Sequence, residues 1–306
     1  MPLQGTHNNE FEIWSANAIA HGFGKPFAAR EAKVLQTQLM MRASRDAQRE
    51  HAPDARPFLV SRSGGVGMHR YVQTWSGDNY TSWETLRFNL KMGLGLVMSG
   101  VSNSGHDIGG FAGPAPGAEL LARWVTFGIF LPRFSIHSWN DDGTANEPWM
   151  YPQITSVIAE LIKLRYRLIP YLYELLWQSH SAYEPVTRPM FAKFPHDPAC
   201  LACLACLADG DDMMLGASLL VAAVVEEGQS ERSVYLPKDA QGRWRVSIES
   251  DAATLRIAIE QQETMQRDVR VSVPASDTRA VTCTNGQLTG ESSADGWRHL
   301  TLHLAQ

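Results

Sequence analysis

Trp75-Ser76-Gly77-Asp78-Asn79 closes one short apolar run, and Ser104-Gly105-His106-Asp107-Ile108-Gly109-Gly110-Phe111 closes the next, one helix-compatible segment later. Each sets an acid and an aromatic ring among turn residues at the end of a predicted strand. Outward from this pair the pattern repeats. Pro57 to Arg62, Tyr71 to Trp75, Gly95 to Val101 and Thr126 to Leu131 read as strands, with helices over Tyr80 to Met92 and Ala118 to Val125. Strand, polar loop and helix in alternation predict an α/β core, either a βα barrel or an open parallel sheet. In both, a ligand sits at the C-terminal ends of the strands, which is where these polar residues fall. A sugar suits them, because a pyranose face packs on an aromatic ring while its hydroxyls need donors and acceptors such as Asp, Arg and His. On composition alone, Asp78 serves equally well as the N-cap of a helix from Tyr80.

On either side of this core the character changes. Ala28 to Arg49 reads as helix, rich in Ala, Leu, Met, Gln and Arg, and His51-Ala52-Pro53-Asp54 ends it. Pro152 to His180 is one long helical pattern in which Pro170 predicts a kink. After Glu184-Pro185 short strands are expected over Val186 to Phe194, Leu215 to Val225, Ser233 to Leu236, Trp244 to Glu249, Thr254 to Glu260, Val269 to Val273, Ala280 to Thr284 and Leu300 to Leu304. Regular short strands with turn residues between them argue an all-β tail.

The 306 residues carry a formal net charge of -5, so no whole-chain positive field draws nucleic acid or an anionic membrane face. The longest apolar stretch, Leu215 to Val225, is about half of the ~20 residues that span a bilayer. With no basic region and apolar run at the N-terminus, a cytoplasmic location is expected. Four Cys are too few for a disulfide framework. Cys200, Cys203 and Cys206 have an iron–sulfur-like spacing, but they lie in a tandem of Leu-Ala-Cys units without a following Pro, and a duplicated surface loop is the expectation. Gly64, Gly65 and Gly67 complete no phosphate-loop motif, and the ten His include no HExxH pair, so neither a nucleotide nor a zinc site is expected. Oligomeric state is not legible.

Read in order, Val60-Ser61-Arg62-Ser63, Arg70-Tyr71, Trp75 to Asn79, Ser104 to Phe111 and Leu131-Pro132-Arg133-Phe134-Ser135-Ile136-His137-Ser138-Trp139 resemble glycoside hydrolase family 31, the α-glucosidase family. The likeness continues through Leu164 to Tyr173, Arg188 to Phe191, Phe194 to Asp197 and Asp211 to Gly216. It implies a retaining mechanism on α-linked glucosides, with two carboxylates about 5 Å apart and no cofactor. By motif match Asp78 is the general acid/base, Arg70 and Trp75 contact the sugar beside it, Asp107 is a structural or substrate-binding acid, and His137 hydrogen-bonds the sugar. Arg62 and Arg133 lie in the same motifs, and either could be the charge partner of a carboxylate. α-Xylosidase and α-glucosyltransferase use the same machinery, and a non-catalytic remnant with weak sugar binding is the reading from another class.

The departures from the family pattern bear on activity. His7 stands where the family's W-N-D-N-N-E motif carries the nucleophilic Asp. Only strands five to eight and a remnant of the fourth are represented, so the fold expected is the second half of a (β/α)8 TIM barrel followed by C-terminal β-sandwich modules. The boundaries expected are 1–185 for the half barrel, 186–240 for an incomplete proximal sandwich and 241–306 for a distal β domain. A truncated, inactive form follows from these gaps. Parts of Phe58 to Val60, Leu94 to Val101 and Ile129 to Leu131 are expected to lose their cover on the open side.

Overall fold

The computed structural model describes residues 18–22, 24–205, 211–229, 232–239, 242–250, 254–261, 268–274, 280–283, 286–294 and 297–304. The chain divides into two compact units, Met1–Arg188 and Pro189–Gln306. The first opens with the antiparallel pair β1 (Ile19–Gly22) and β2 (Lys25–Ala28), which leads into the 23-residue helix α1 (Ala29–His51).

Its core is a parallel sheet in the order β3 (Thr74–Trp75), β4 (Ser104–Ile108), β5 (Arg133–Ile136), with α2 (Trp83–Met98) and α3 (Ala118–Gly128) as the crossovers. A fourth parallel run reaches β3 through a bridge between Val60 and Gln73. Ser61 N donates to Gln73 O (3.0 Å), Gln73 N to Leu59 O (2.9 Å), and the Thr74 hydroxyl to Ser61 O (2.7 Å). Among the described residues this sheet stays open, as a partial barrel does. β4 is buried along its whole length. At Gly105 a Cβ would run into the backbone oxygen of Arg133, so only glycine lets β4 approach β5 this closely.

The helices extend further than the sequence suggests. Leu86, Leu90, Leu94 and Val97 are buried at a helical period, so Gly95 to Met98 is the end of α2 and the expected strand over Gly95 to Val101 is corrected to β4. Likewise Thr126 to Gly128 completes α3, and the turn after it, with Leu131 N donating to Gly128 O (3.0 Å), delays the strand to Arg133. The same reassignment covers most of the apolar residues expected to lie bare: Leu94, Val97, Val101, Ile129 and Leu131 are all buried. Phe58 (70% exposed) and Val60 (42% exposed) do lie open, as expected.

α4 (Thr155–Ala182) runs through Pro170 and stops at Tyr183, whose φ of 60° is left-handed. Arg165 of α4 clamps the turn before β5, donating to the carbonyl oxygens of Ile129 (2.7 Å), Leu131 (2.7 Å) and Pro132 (2.8 Å). Burial depresses its pKa to about 10, and it remains a cation at neutral pH.

The division between the units falls within β6 (Thr187–Pro189), and the short helix α5 (Met190–Lys193) replaces the rest of the strand expected there. In the second unit, α6 (Pro198–Ala205) takes the place of the expected surface loop over Cys200 to Ala208, as far as it is described. Its Cys200 side chain is buried in a cluster with Met190 and Met214. The expected strand over Leu215 to Val225 is instead a hairpin of β7 (Asp212–Leu215) and β8 (Leu219–Ala222).

β9 (Arg232–Asp239), β10 (Gly242–Ser250), β11 (Thr254–Gln261) and β13 (Ala280–Cys283) form one sheet, and β12 (Asp268–Pro274), β14 (Gly286–Ala294) and β15 (Trp297–Leu304) another. β9 and β10 pair antiparallel, so the expected division at 240/241 cuts through a sheet. β14, with its Gly and Ser residues, gave no strand signal in the sequence.

Candidate active site

Because β3, β4 and β5 are parallel, the loops that leave them lie side by side. Main-chain hydrogen bonds sew these loops together. Phe111 N and Ala112 N donate to Asn79 O (2.7 and 3.1 Å), and Thr81 N donates to Ala112 O (2.8 Å). Trp139 N donates to Phe111 O (2.7 Å) and Asp141 N to Gly113 O (2.8 Å). The side chain of Asn79 adds a bond to the Asp107 carbonyl oxygen (3.1 Å).

Asp78 stands in the first of these loops with its side chain 41% exposed, and its Oδ1 lies 3.1 Å from Nη1 of Arg62. Arg62 gets there because the parallel bridge at Val60 carries the chain past β3. Its stem then crosses Gly77, where a Cβ would meet Arg62 Cδ at 2.9 Å and φ is +79°. The N-cap reading of Asp78 is overturned: α2 begins at Trp83, and the cap is Ser82, whose Oγ accepts from Thr85 N at 3.1 Å.

Asp107, at the end of β4, is fully buried. Its Oδ1 accepts from Arg133 Nη1 at 3.0 Å, and the same nitrogen donates to His106 O at 3.2 Å. Burial raises the Asp107 pKa, the Arg133 charge and hydrogen bond pull it back, His137 lowers it a little and the Asp78 charge raises it. The Arg133 guanidinium carbon lies 5.3 Å from the centre of the Trp75 ring. His106 is buried on the same strand, and burial, reinforced by the Arg133 charge, lowers its pKa to about 3, so it is neutral at physiological pH.

Trp75 is half-buried, and the exposed His137 packs its ring against Phe111 with centroids 5.2 Å apart. Arg70 lies in a 3-10 turn (Met68–Arg70), exposed, with its guanidinium over Tyr71. The guanidinium paired with Asp78 is that of Arg62, and the partner of Asp107 is Arg133. Both candidate charge partners are thus used, one for each acid. Sequence reading had no way to assign the pairs, because strand neighbourhood alone decides which arginine meets which acid. His7 lies outside the described residues. Among the described residues, no group of three or more His, Cys, Asp or Glu could hold a metal ion. A half-exposed carboxylate held by one guanidinium, in the loop after an indole, can exchange a proton with a bound ether or hydroxyl oxygen.

Comparison with known proteins gives the family. Residues 6–175 match the glycosyl hydrolases family 31 TIM-barrel domain, and residues 183–281 the family 31 C-terminal domain. "Alpha-glucosidase 2" of Bacillus thermoamyloliquefaciens is 33% identical over 237 residues, which is 77% of this chain and 29% of that protein. "Neutral alpha-glucosidase C" of Mus musculus is 39% identical over 183 residues, 60% of this chain and 20% of that one.

Among solved structures, the Tris-bound glucosidase II alpha subunit superposes with a TM-score of 0.66 at 22% identity, covering 81% of this chain and 31% of that one. A family 31 alpha-xylosidase from a soil metagenome, complexed with xylose, gives a TM-score of 0.59 at 29% identity, covering 65% and 32%. The chain spans less than a third of the length of these relatives. No described helix is long and apolar enough to cross a membrane. With the barrel-domain match running over more than half of its residues and the sewn loops carrying the family's motifs, this chain belongs to glycosyl hydrolase family 31.

Proposed function

We propose that the chain carries the acid side of a retaining α-glucosidase site, with Asp78 as general acid/base. Asp78 would protonate the departing glycosidic oxygen and then take a proton from the attacking water. Trp75 offers the sugar a ring face, His137 an exposed imidazole, and Arg62 holds the acid. Asp107 supports the loop from beneath, since both its oxygens are buried. The observation that carries this reading is the half-exposed, ion-paired Asp78, three residues after Trp75 in the loop at the C-terminal end of a parallel strand. Arg70, exposed over Tyr71, is left as a contact to the outer part of a longer substrate.

The matching nucleophile position in this sequence is His7. An imidazole at His7 cannot form and release the glycosyl ester that a carboxylate would. We therefore expect no release of chromophore from an aryl α-glucoside by the chain alone, and none after His7→Asp, because positioning by the first half of a barrel is still lacking. Adding a polypeptide that supplies that half with its nucleophilic Asp should restore release, and Asp78→Asn should lower it by about 10²–10⁴-fold. Efficient turnover by the chain alone, abolished by Asp78→Asn, would show that the nucleophile lies elsewhere. The likeness to an alpha-xylosidase supports a second reading, and the restored assembly separates the two: a higher kcat/KM on the aryl α-xyloside than on the α-glucoside would favour it.

A further inference from the structure

Arg133, on the edge strand β5, makes contacts with both other strands of the sheet. From β5 it reaches the carboxylate of Asp107 and the carbonyl of His106 on β4, and its guanidinium faces the ring of Trp75 on β3. It is itself largely buried, with 13% of its side chain exposed, and the Asp107 side chain is 1% exposed. Its guanidinium is engaged by Asp107, His106 and Trp75, so what it does for the site it does through these neighbours. Asp107 in turn is tied to the acid's loop, since its backbone oxygen accepts from the Asn79 side chain and Asn79 follows Asp78. Oδ2 of Asp107 is buried with no partner among the described residues, so Arg133 is the contact that settles which way the carboxylate faces.

We propose that Arg133 is a positioning residue, whose guanidinium fixes the Asp107 carboxylate and the Trp75 ring in one arrangement and through them sets the loop that carries Asp78. A planar guanidinium suits this work for a physical reason. It can donate in its plane to a carboxylate and a carbonyl while its face lies over an indole, whereas a lysine ammonium has no plane to stack. The titratable and charged groups facing Asp107 are Arg133 and His137 from β5 and its end, and Asp78 from the loop after β3. Of these, Arg133 is the group in contact, and its loss should be felt at Asp107 and at Trp75 together.

The test uses the whole chain, labelled so that the Asp carboxyl carbons and the Trp indole N–H groups are seen by NMR, with Asp107→Asn and Trp75→Phe assigning the two signals. In Arg133→Met the titration midpoint of Asp107 should rise by about one pH unit or more, and the Trp75 indole signal should move. In Arg133→Lys, which keeps the charge and folds if Arg133→Met does not, the midpoint should rise less while the indole signal still moves. A purely structural filler would leave the midpoint of Asp107 unchanged in a folded variant. Midpoint and indole signal both unchanged in Arg133→Lys, or in a folded Arg133→Met, overturns the proposal.

The proposal leans on the glucoside reading only for what the loop is for, and one further titration keeps the two apart. Methyl α-glucoside added to the wild-type chain should shift the Trp75 signal. If it does not while the Arg133 effects hold, the sugar reading fails at this site and the positioning role stands.

Discussion

β4 and the run Phe58 to Arg62 belong to the same parallel sheet and differ in almost every other respect. β4 has a strand on each side and helices behind it, and all five of its residues are buried. The run at Val60 has one strand neighbour, reached through the bridge to Gln73, and its Phe58 and Val60 face solvent. What separates them is the number of neighbours and not the quality of the residues, since Phe-Leu-Val is by propensity a better strand than Ser-Gly-His-Asp-Ile. Burial follows the partners, and chemistry follows burial. β4 can keep Asp107 and His106 away from water, whereas the outer run delivers Arg62 to a carboxylate that must stay accessible.

The contrast is most severely tested at Gly105. A methyl group there meets the Arg133 backbone oxygen, so Gly105→Ala should cost about 3 kcal/mol or more, or abolish cooperative unfolding altogether. Chemical denaturation reads this directly, and a near-wild-type midpoint would mean that β4 and β5 can separate freely.

Next in size is the acid response of His106. Its folded pKa of about 3 lies below the ordinary value of 6.5, so the folded state resists a proton that the unfolded chain accepts. Stability is full above pH 6.5 and falls as pH drops towards 3, by up to about 1.4 kcal/mol per pH unit from this group. His106→Gln should flatten the fall between pH 6.5 and 5 in denaturation measured across that range. An unchanged slope would place the proton elsewhere.

Smaller again, Ser82→Ala removes the cap of α2 and should lower stability by about 1 kcal/mol, read as a shifted urea midpoint with unchanged slope. At the lower end, Phe58→Ser on the outer run should change stability by no more than about 0.5 kcal/mol while reducing the binding of an apolar dye. A loss as large as that at Gly105 would show that the outer run is not the loose member of the pair.

The same comparison explains what the sequence disclosed. Short apolar runs located the parallel core and the long helices, because periodicity survives without tertiary knowledge. It misjudged Gly95 to Met98 and Thr126 to Gly128, where an apolar helix end and a buried strand have the same composition. The acids and rings proposed for the site stand out in the sequence because Asp, Trp and His clustered among turn residues are unusual at strand ends. Their pairings do not, since Arg62 and Asp78 are brought together by a bridge between residues 60 and 73, and Arg133 and Asp107 by the register that sets Asp107 against Ser135. Ser82, two residues beyond the expected helix start, was hidden for a simpler reason: Asp78 and Ser82 are both good caps, and only the backbone shows which one is used.

The sewn loops have one more consequence, which concerns time. The amides of Thr81, Phe111, Ala112, Trp139 and Asp141 are donors in a single ladder that crosses three loops, and none of these bonds needs a particular side chain. Opening one loop leaves the next without its acceptor or donor. Hydrogen exchange at these five amides should then proceed at one shared rate, as a cooperative opening of the whole rim. Motion at Asp78 would be timed by residues as far along the chain as Asp141, and substitutions at the rim's side chains could change what is recognised while leaving that clock untouched.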